Sequence, residues 1–193
     1  MSIQIVFETH STSTDNEAGV ATGWSDGRLS ELGKRQAAEL GARRRDDGVA
    51  AVFTSDLGRA VETARIAFGG SGIPVHRDPR LRECDYGELT GAPVSAIEEQ
   101  RMRRIDEPFR GGESYRQAVE RVRTFLADLP AELDGQRIVV IGHAATRWAL
   151  QHLLGRRELA DLLSEPFAWQ EGWEFSLDVP GAVAAPAPRP PRG

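Results

Sequence analysis

Lysine is almost missing from this chain of 193 residues. Of its 24 basic side chains only Lys34 is a lysine, and the other 23 are arginines. Two readings of that imbalance stand at this point. Arginine has GC-rich codons, and guanidinium also grips phosphate in a bidentate way that ammonium does not. Cysteine is as scarce, since Cys84 stands alone. That excludes an intrachain disulfide framework and a thiolate zinc cluster. No apolar run approaches the roughly 18–20 residues of a membrane span. The opening segment, Met1 to Phe7, lacks the basic stretch and long apolar core of a secretory leader. Positive charge is short as well: 29 acidic residues against 24 basic ones leave a net charge of −5. Such a chain is a poor default binder of nucleic acid or of an anionic membrane. These absences predict a cytoplasmic protein with no nucleic-acid or membrane partner. Neither GxxxxGK[ST] nor a strand-associated GxGxxG is present, and HExxH spacing is absent, so no metal and no cofactor are expected.

What is there alternates between two periods. Ile3 to Phe7, Ala51 to Thr54 and Arg137 to Ile141 are short apolar runs that read as buried strands. Ser30 caps a helix carrying Leu32, Gln36 and Leu40. Further helices are read over Asp56 to Phe68, Pro93 to Arg104, Glu113 to Leu129 and Ala144 to Leu154. A short strand is expected near Val75 and a last edge strand over Trp173 to Leu177. Ser11 to Gly27 reads as a loop. Alternating strands and helices predict an α/β fold: a three-layer α/β/α sandwich around a mostly parallel sheet. One domain is expected over 1–180. The Pro/Ala/Arg-rich stretch 181–193 reads as a disordered tail.

In open sheets of this kind, ligands bind beyond the carboxyl ends of the strands. Two of the four histidines fall there: Thr9-His10-Ser11 follows the first strand, and Gly142-His143-Ala144 follows the third long one. Arg59 sits in the first turn of the helix after the second strand, where a cation and a helix N-terminus together favour an anion. Glu83 is a carboxylate flanked by arginines in a loop. Each has a plainer alternative: a turn histidine, a surface arginine, a loop ion pair. The repeated placement at strand ends favours a shared site.

Taken together, these segments resemble the histidine phosphatase superfamily, the phosphoglycerate-mutase-like group. The resemblance is carried by Gly23-Trp24-Ser25-Asp26 with Leu29-Ser30-Glu31-Leu32-Gly33, and by Thr54-Ser55-Asp56-Leu57-Gly58-Arg59-Ala60 with Glu62-Thr63-Ala64. Arg80-Leu81-Arg82-Glu83, Gly111-Gly112-Glu113-Ser114 and Ile141-Gly142-His143 follow in family order. The resemblance implies a metal-independent phosphatase acting on a small-molecule phosphate monoester. His10 would be the nucleophile that forms a phosphohistidine. Arg59 and His143 would hold phosphoryl oxygens, with Asn16, Thr9, Ser11 and Ala144 adding contacts. Glu83 would be the general acid and base. A phosphate-ester binding protein with little turnover and a mutase-type phosphoryl transferase are the alternatives.

One departure matters. The family's first motif is Arg-His-Gly, and here it is Thr9-His10-Ser11. A lost hydrogen bond to charge is worth about 1.5–3 kcal/mol, or roughly 10- to 150-fold. Arg147, one turn after His143, is the candidate replacement, with Arg28 and Arg82 as further candidates; for each, a solvent-exposed or ion-paired arginine is the preferred reading. Arg101, Arg103, Arg104 and Arg110 either contact a second anionic group or form a solvated face, and the second reading is preferred. Trp24 is expected to wall the pocket mouth or to pack its loop. Trp148, Trp169 and Trp173 are expected to pack the C-terminal helix and edge strand. The specific ester and the oligomeric state are not encoded in any motif.

Overall fold

The computed structural model describes residues 2–166 and 168–178. The stretch read as a tail, 181–193, lies outside them. Five strands form one sheet in the order β3-β2-β4-β1-β5. These are β1 (Ser2–Thr9), β2 (Val49–Thr54), β3 (Val75–Arg77), β4 (Arg137–Gly142) and β5 (Trp173–Asp178). The first four are parallel, and β5 runs antiparallel along the free side of β1, Phe7 facing Trp173.

Period-two alternation on β1 supplies both faces. Ile3, Ile5 and Phe7 enter one apolar layer with Ile138 and Val140 of β4. Val6 enters the other with Val52, Val139 and Ile141. The first layer is closed by α5 (Tyr115–Ala127) and α6 (Ala144–Leu153), through Phe125, Trp148 and Leu150. The second is closed by α2 (Glu31–Arg44) and α3 (Gly58–Phe68), through Leu40, Ala60, Ala64 and Phe68. The chain is a three-layer α/β/α sandwich.

Three local expectations change. The Ser11 to Gly27 loop contains one helical turn, α1 (Thr14–Ala18), capped by Ser13. The helix read over Pro93 to Arg104 is α4 (Val94–Glu98) followed by a separate 3-10 turn at Arg103–Ile105. A further helix, α7 (Leu159–Ser164), buries Leu159, Leu162 and Leu163; its single short apolar face gave no long periodic signal.

The start of α2 is pressed onto the loop that follows His10. Ser30 N–H donates to the Thr12 carbonyl (3.0 Å), and a Cβ on Gly33 would stand 1.9 Å from that same oxygen. In an open helix, Gly33→Ala would gain about 1 kcal/mol of propensity. Here the clash is with backbone, so the expected outcome is a net loss of about 1–3 kcal/mol. Denaturant unfolding reads the stability, and the displaced loop is the one that carries His10.

Candidate active site

β1, β2 and β4 end side by side, and the backbone continues their ladder one step: His10 N–H donates to the Gly142 carbonyl (2.9 Å), and Ser55 N–H to the Ile141 carbonyl (3.1 Å). That register places His10, the start of α3 and His143 around one point. His143 is the N-cap of α6, with its own N–H donating to Thr146 Oγ1 (3.3 Å). The His10 and His143 rings lie 5.0 Å apart.

Arg59 joins them. It is 2% exposed, and its Nε donates to His10 Nε2 (3.3 Å) while one Nη2 faces both His143 Nδ1 (3.3 Å) and the Gly23 carbonyl (2.9 Å). Nη1 donates to the Ser25 carbonyl (3.2 Å). Two loop carbonyls therefore aim the guanidinium. Thr63, one turn further along α3, accepts Ser11 N–H (3.0 Å) and donates to the Arg59 carbonyl (2.8 Å), tying the His10 loop to the same helix.

These contacts decide the histidine tautomers. His10 Nδ1 lies 2.8 Å from the Ser11 carbonyl, which can only accept. Nδ1 therefore carries the proton and Nε2 keeps a lone pair. Enclosure by the protein and then the Arg59 charge lower the His10 pKa to about 3, so the ring is neutral at physiological pH. His143 is pushed well below its ordinary value by burial, then by Arg59 and His10. Its Nδ1 faces a guanidinium that can only donate, so Nε2 carries the proton. That nitrogen is buried with no hydrogen-bond partner among the described residues.

Glu83 completes the cluster. Its Oε1 accepts N–H bonds from Cys84 (2.8 Å) and Ala145 (3.0 Å), and Oε2 accepts one from Ala144 (3.3 Å). The carboxyl group thus sits on the N-terminus of α6, held by three backbone N–H donors. Its own backbone carbonyl is held by Trp24 Nε1 (2.6 Å) and Arg121 Nη2 (3.2 Å). Arg121 also donates to the Arg80 carbonyl (2.8 Å) and pairs with Glu113. One arginine of α5 therefore holds the acid-bearing loop against the sheet.

The cluster lies in a cavity of about 520 Å³. His10, Arg59, Glu83, His143, Thr9, Ser11, Asn16 and Ala144 all line it. Asn16 Oδ1 is already occupied by Ser13, as part of the α1 capping box. The expectation for Arg147 is corrected. It does not line the cavity; its guanidinium lies over the Trp148 and Trp173 rings at 5.9 and 5.1 Å. Position 147 is one turn from His143, but its side chain runs along α6 toward β5. Arg82 is also placed elsewhere, locked in a two-point bond to Asp56 (2.7 and 2.6 Å) and stacked on Trp24 at 4.6 Å. Arg28 is exposed and lines no part of the cavity.

The arginines that do line the cavity besides Arg59 are Arg43 and Arg101. Arg43 approaches Glu8 (3.7 Å), a buried carboxylate whose main partner is Arg44 (2.9 Å). Burial raises the Glu8 pKa against the pull of those two guanidinium groups. Two members of the cluster depart from the solvated-face reading: Arg101 lies 5.4 Å over the Trp148 ring, and Arg104, largely buried, lies 5.4 Å over the Phe109 ring. Arg103 and Arg110 do remain exposed. Trp169, expected to pack the edge strand, is instead 59% exposed on the cavity wall. Thr63 and Arg121 were not singled out as site residues. Thr63 lies within a segment that carries the family resemblance; Arg121 lies in α5, beyond Gly111 to Ser114, where no motif marks it. Among the described residues, no group of three or more His, Cys, Asp or Glu side chains is arranged to hold a metal ion.

With the geometry in place, the comparisons are direct. Residues 5–167 match the Histidine phosphatase superfamily (branch 1), and the chain belongs to that family. The 2,3-bisphosphoglycerate-dependent phosphoglycerate mutase of Allorhizobium ampelinum is 33% identical over 196 residues, covering 94% of this chain and 93% of the relative. Among solved structures, Bacillus stearothermophilus YhfR matches with a TM-score of 0.77 at 27% identity, covering 88% of each chain. A mycobacterial glucosyl-3-phosphoglycerate phosphatase, solved with VO3, matches with a TM-score of 0.72 at 25% identity, covering 84% of this chain and 85% of that one. The family's neighbours here are thus phosphatases and mutases, enzymes of phosphoryl transfer. Among the described residues, no helix is long and apolar enough to cross a membrane.

Proposed function

We propose that the chain hydrolyses a small-molecule phosphate monoester through a phosphohistidine on His10. The observation that carries this reading is the fixed tautomer: Nδ1–H bound to the Ser11 carbonyl leaves the Nε2 lone pair among donors that suit a phosphoryl group. In the first step, Nε2 forms a bond to phosphorus as the ester P–O bond breaks. The positive charge gained by the ring is eased by its Nδ1–H bond. Arg59 and the unpartnered His143 Nε2–H hold the phosphoryl oxygens, supplying oriented charge where the transition state needs it. Glu83 Oε2, which has only the longer 3.3 Å contact, gives a proton to the leaving oxygen. In the second step, Glu83 takes a proton from water, the new O–P bond forms and the N–P bond breaks. Ala144 N–H and the α6 N-terminus add their dipole. Thr9 brings no cation to replace the arginine of the family motif, so Arg59 bears more of the phosphoryl charge.

Hydrolysis is favoured over mutase chemistry by the short crossing between Gly87 and Gly112. It contains only a one-turn helix and isolated 3-10 turns, which is little material for a lid that excludes water. The similarity to phosphoglycerate mutases keeps transfer to a second acceptor as the other reading.

The test is a phosphate-release screen over metabolite phosphates, coupled to alkaline quenching and peptide mapping. The expected outcome is a base-stable, acid-labile phosphoryl group on His10, with both the label and phosphate release lost in His10→Ala. Release that continues in His10→Ala overturns the mechanism. Transfer to phosphoglycerate without net phosphate release selects the mutase.

A further inference from the structure

The catalytic cluster accounts for only part of the cavity lining, and the remainder has a chemistry of its own. Outside the cluster the lining includes an apolar set: Ala21, Tyr86, Val94, Ile97, Trp148 and the exposed Trp169. Ile97 and Trp148 are 2% and 6% exposed and belong to the packed core, so this wall is preformed rather than a flexible rim. A volume of about 520 Å³ is within the range of sites that enclose drug-sized ligands, well beyond a three-carbon acid.

Charge points the same way. Away from the phosphoryl end, the lining contains four carboxylates, Glu8, Glu39, Glu98 and Glu165, and two arginines, Arg43 and Arg101. Each of those arginines already faces one of the carboxylates: Arg43 meets Glu8 at 3.7 Å, and Arg101 meets Glu98 at 3.4 Å. Arg101 also donates to the Leu163 carbonyl (3.4 Å). Glu8 is also paired with Arg44 and Glu165 with Arg157, so a second anionic group on the leaving moiety would have to displace one of these carboxylates to find a cation.

Resting on the phosphatase reading above, we infer that the leaving group is a bulky, apolar or aromatic alcohol without a second anionic group, rather than a phosphoglycerate-type acid. The ring would lie against Tyr86, Ile97 and Trp148, and the scissile oxygen would meet Glu83.

Esters with matched leaving groups test this, because aryl phosphates would confuse binding with leaving-group strength. The expected result is kcat/KM for 2-phenylethyl phosphate about 10- to 100-fold above ethyl phosphate, from burial of one phenyl ring. Glycerol 3-phosphate should exceed 3-phosphoglycerate, from which it differs chiefly in lacking the carboxylate. Val94→Asp, at a half-exposed position of the wall, should shrink the phenylethyl-to-ethyl ratio. A ratio near one, or a preference for 3-phosphoglycerate that disappears in Arg101→Gln, overturns the inference. Calorimetric binding of 2-phenylethylphosphonate against ethylphosphonate reads the same preference without turnover. Absence of all phosphate release therefore defeats only the phosphatase reading, whereas equal phosphonate affinities defeat the leaving-group inference.

Discussion

Arg59→Ala lowers kcat/KM for every phosphate ester by about 10²–10⁴-fold. The estimate takes two charge-assisted contacts to phosphoryl oxygens at about 1.5–3 kcal/mol each. It applies here with particular force because Thr9 stands where the family motif has its arginine. Arg147, the candidate substitute, is turned toward Trp173. Arg59→Lys is not expected to restore the rate: a single ammonium cannot reach His10, His143 and the Gly23 and Ser25 carbonyls with one planar fork. Stability should not follow activity. Burial lowers the Arg59 pKa below its ordinary value, partly offset by Glu83 and other acidic groups, so burying this charge is a cost to stability. Arg59→Met retains the packing of the stem while removing the charge. Its unfolding midpoint is expected at or above that of the parent protein. Steady-state kinetics and thermal unfolding of the two variants check both halves. A loss of less than about tenfold would show that another cation, Arg43 or Arg101, bears the phosphoryl charge.

Glu83→Gln produces the second large effect, and its size depends on the substrate. General acid catalysis is worth about 10²–10⁴-fold, and only when the leaving group needs a proton. Alkyl phosphates should lose that much, and p-nitrophenyl phosphate far less, since nitrophenolate departs unprotonated. Glutamine keeps a carbonyl oxygen to accept the Cys84 and Ala145 N–H bonds, so the α6 N-terminus stays partly capped. The leaving-group series therefore separates loss of the proton from loss of the cap. An equal fall for both esters would mean that Glu83 acts by holding α6 and not by protonating the leaving oxygen.

His10 and His143 were legible because each sits at the carboxyl end of a buried strand, a position that strand polarity alone makes a ligand site. Arg59 was legible from the helix N-terminus that follows β2. The arginines around them were not. Arg147 has the spacing of a site residue, yet its guanidinium lies over the rings of Trp148 and Trp173 and not on the cavity wall. Arg101 reads as one of several charges on a solvated turn, yet the break between α4 and the 3-10 turn at Arg103–Ile105 brings it over Trp148. Spacing along a helix reports the face of a residue; it does not report which neighbour across the fold takes the end of a long side chain.

The same division holds for the protein as a whole. The order of apolar runs and helix caps by itself determined the layers, the parallel sheet and the edge of the sheet where chemistry belongs, because those follow from local periods of two and about 3.6 residues. The tautomers of His10 and His143, the seat of Glu83 on three backbone donors and the apolar, acid-rimmed remainder of the cavity were decided only by tertiary structure. The His143 tautomer and the Glu83 seat depend on contacts between residues tens of positions apart, as from Arg59 to His143 or from Glu83 to Ala145, and the His10 tautomer on the turn that brings the Ser11 carbonyl onto its ring. The tertiary structure shows why the arginine count was a poor guide: most of these guanidinium groups are bound to carboxylates, carbonyls and rings, and Arg59 is the one brought to both histidines.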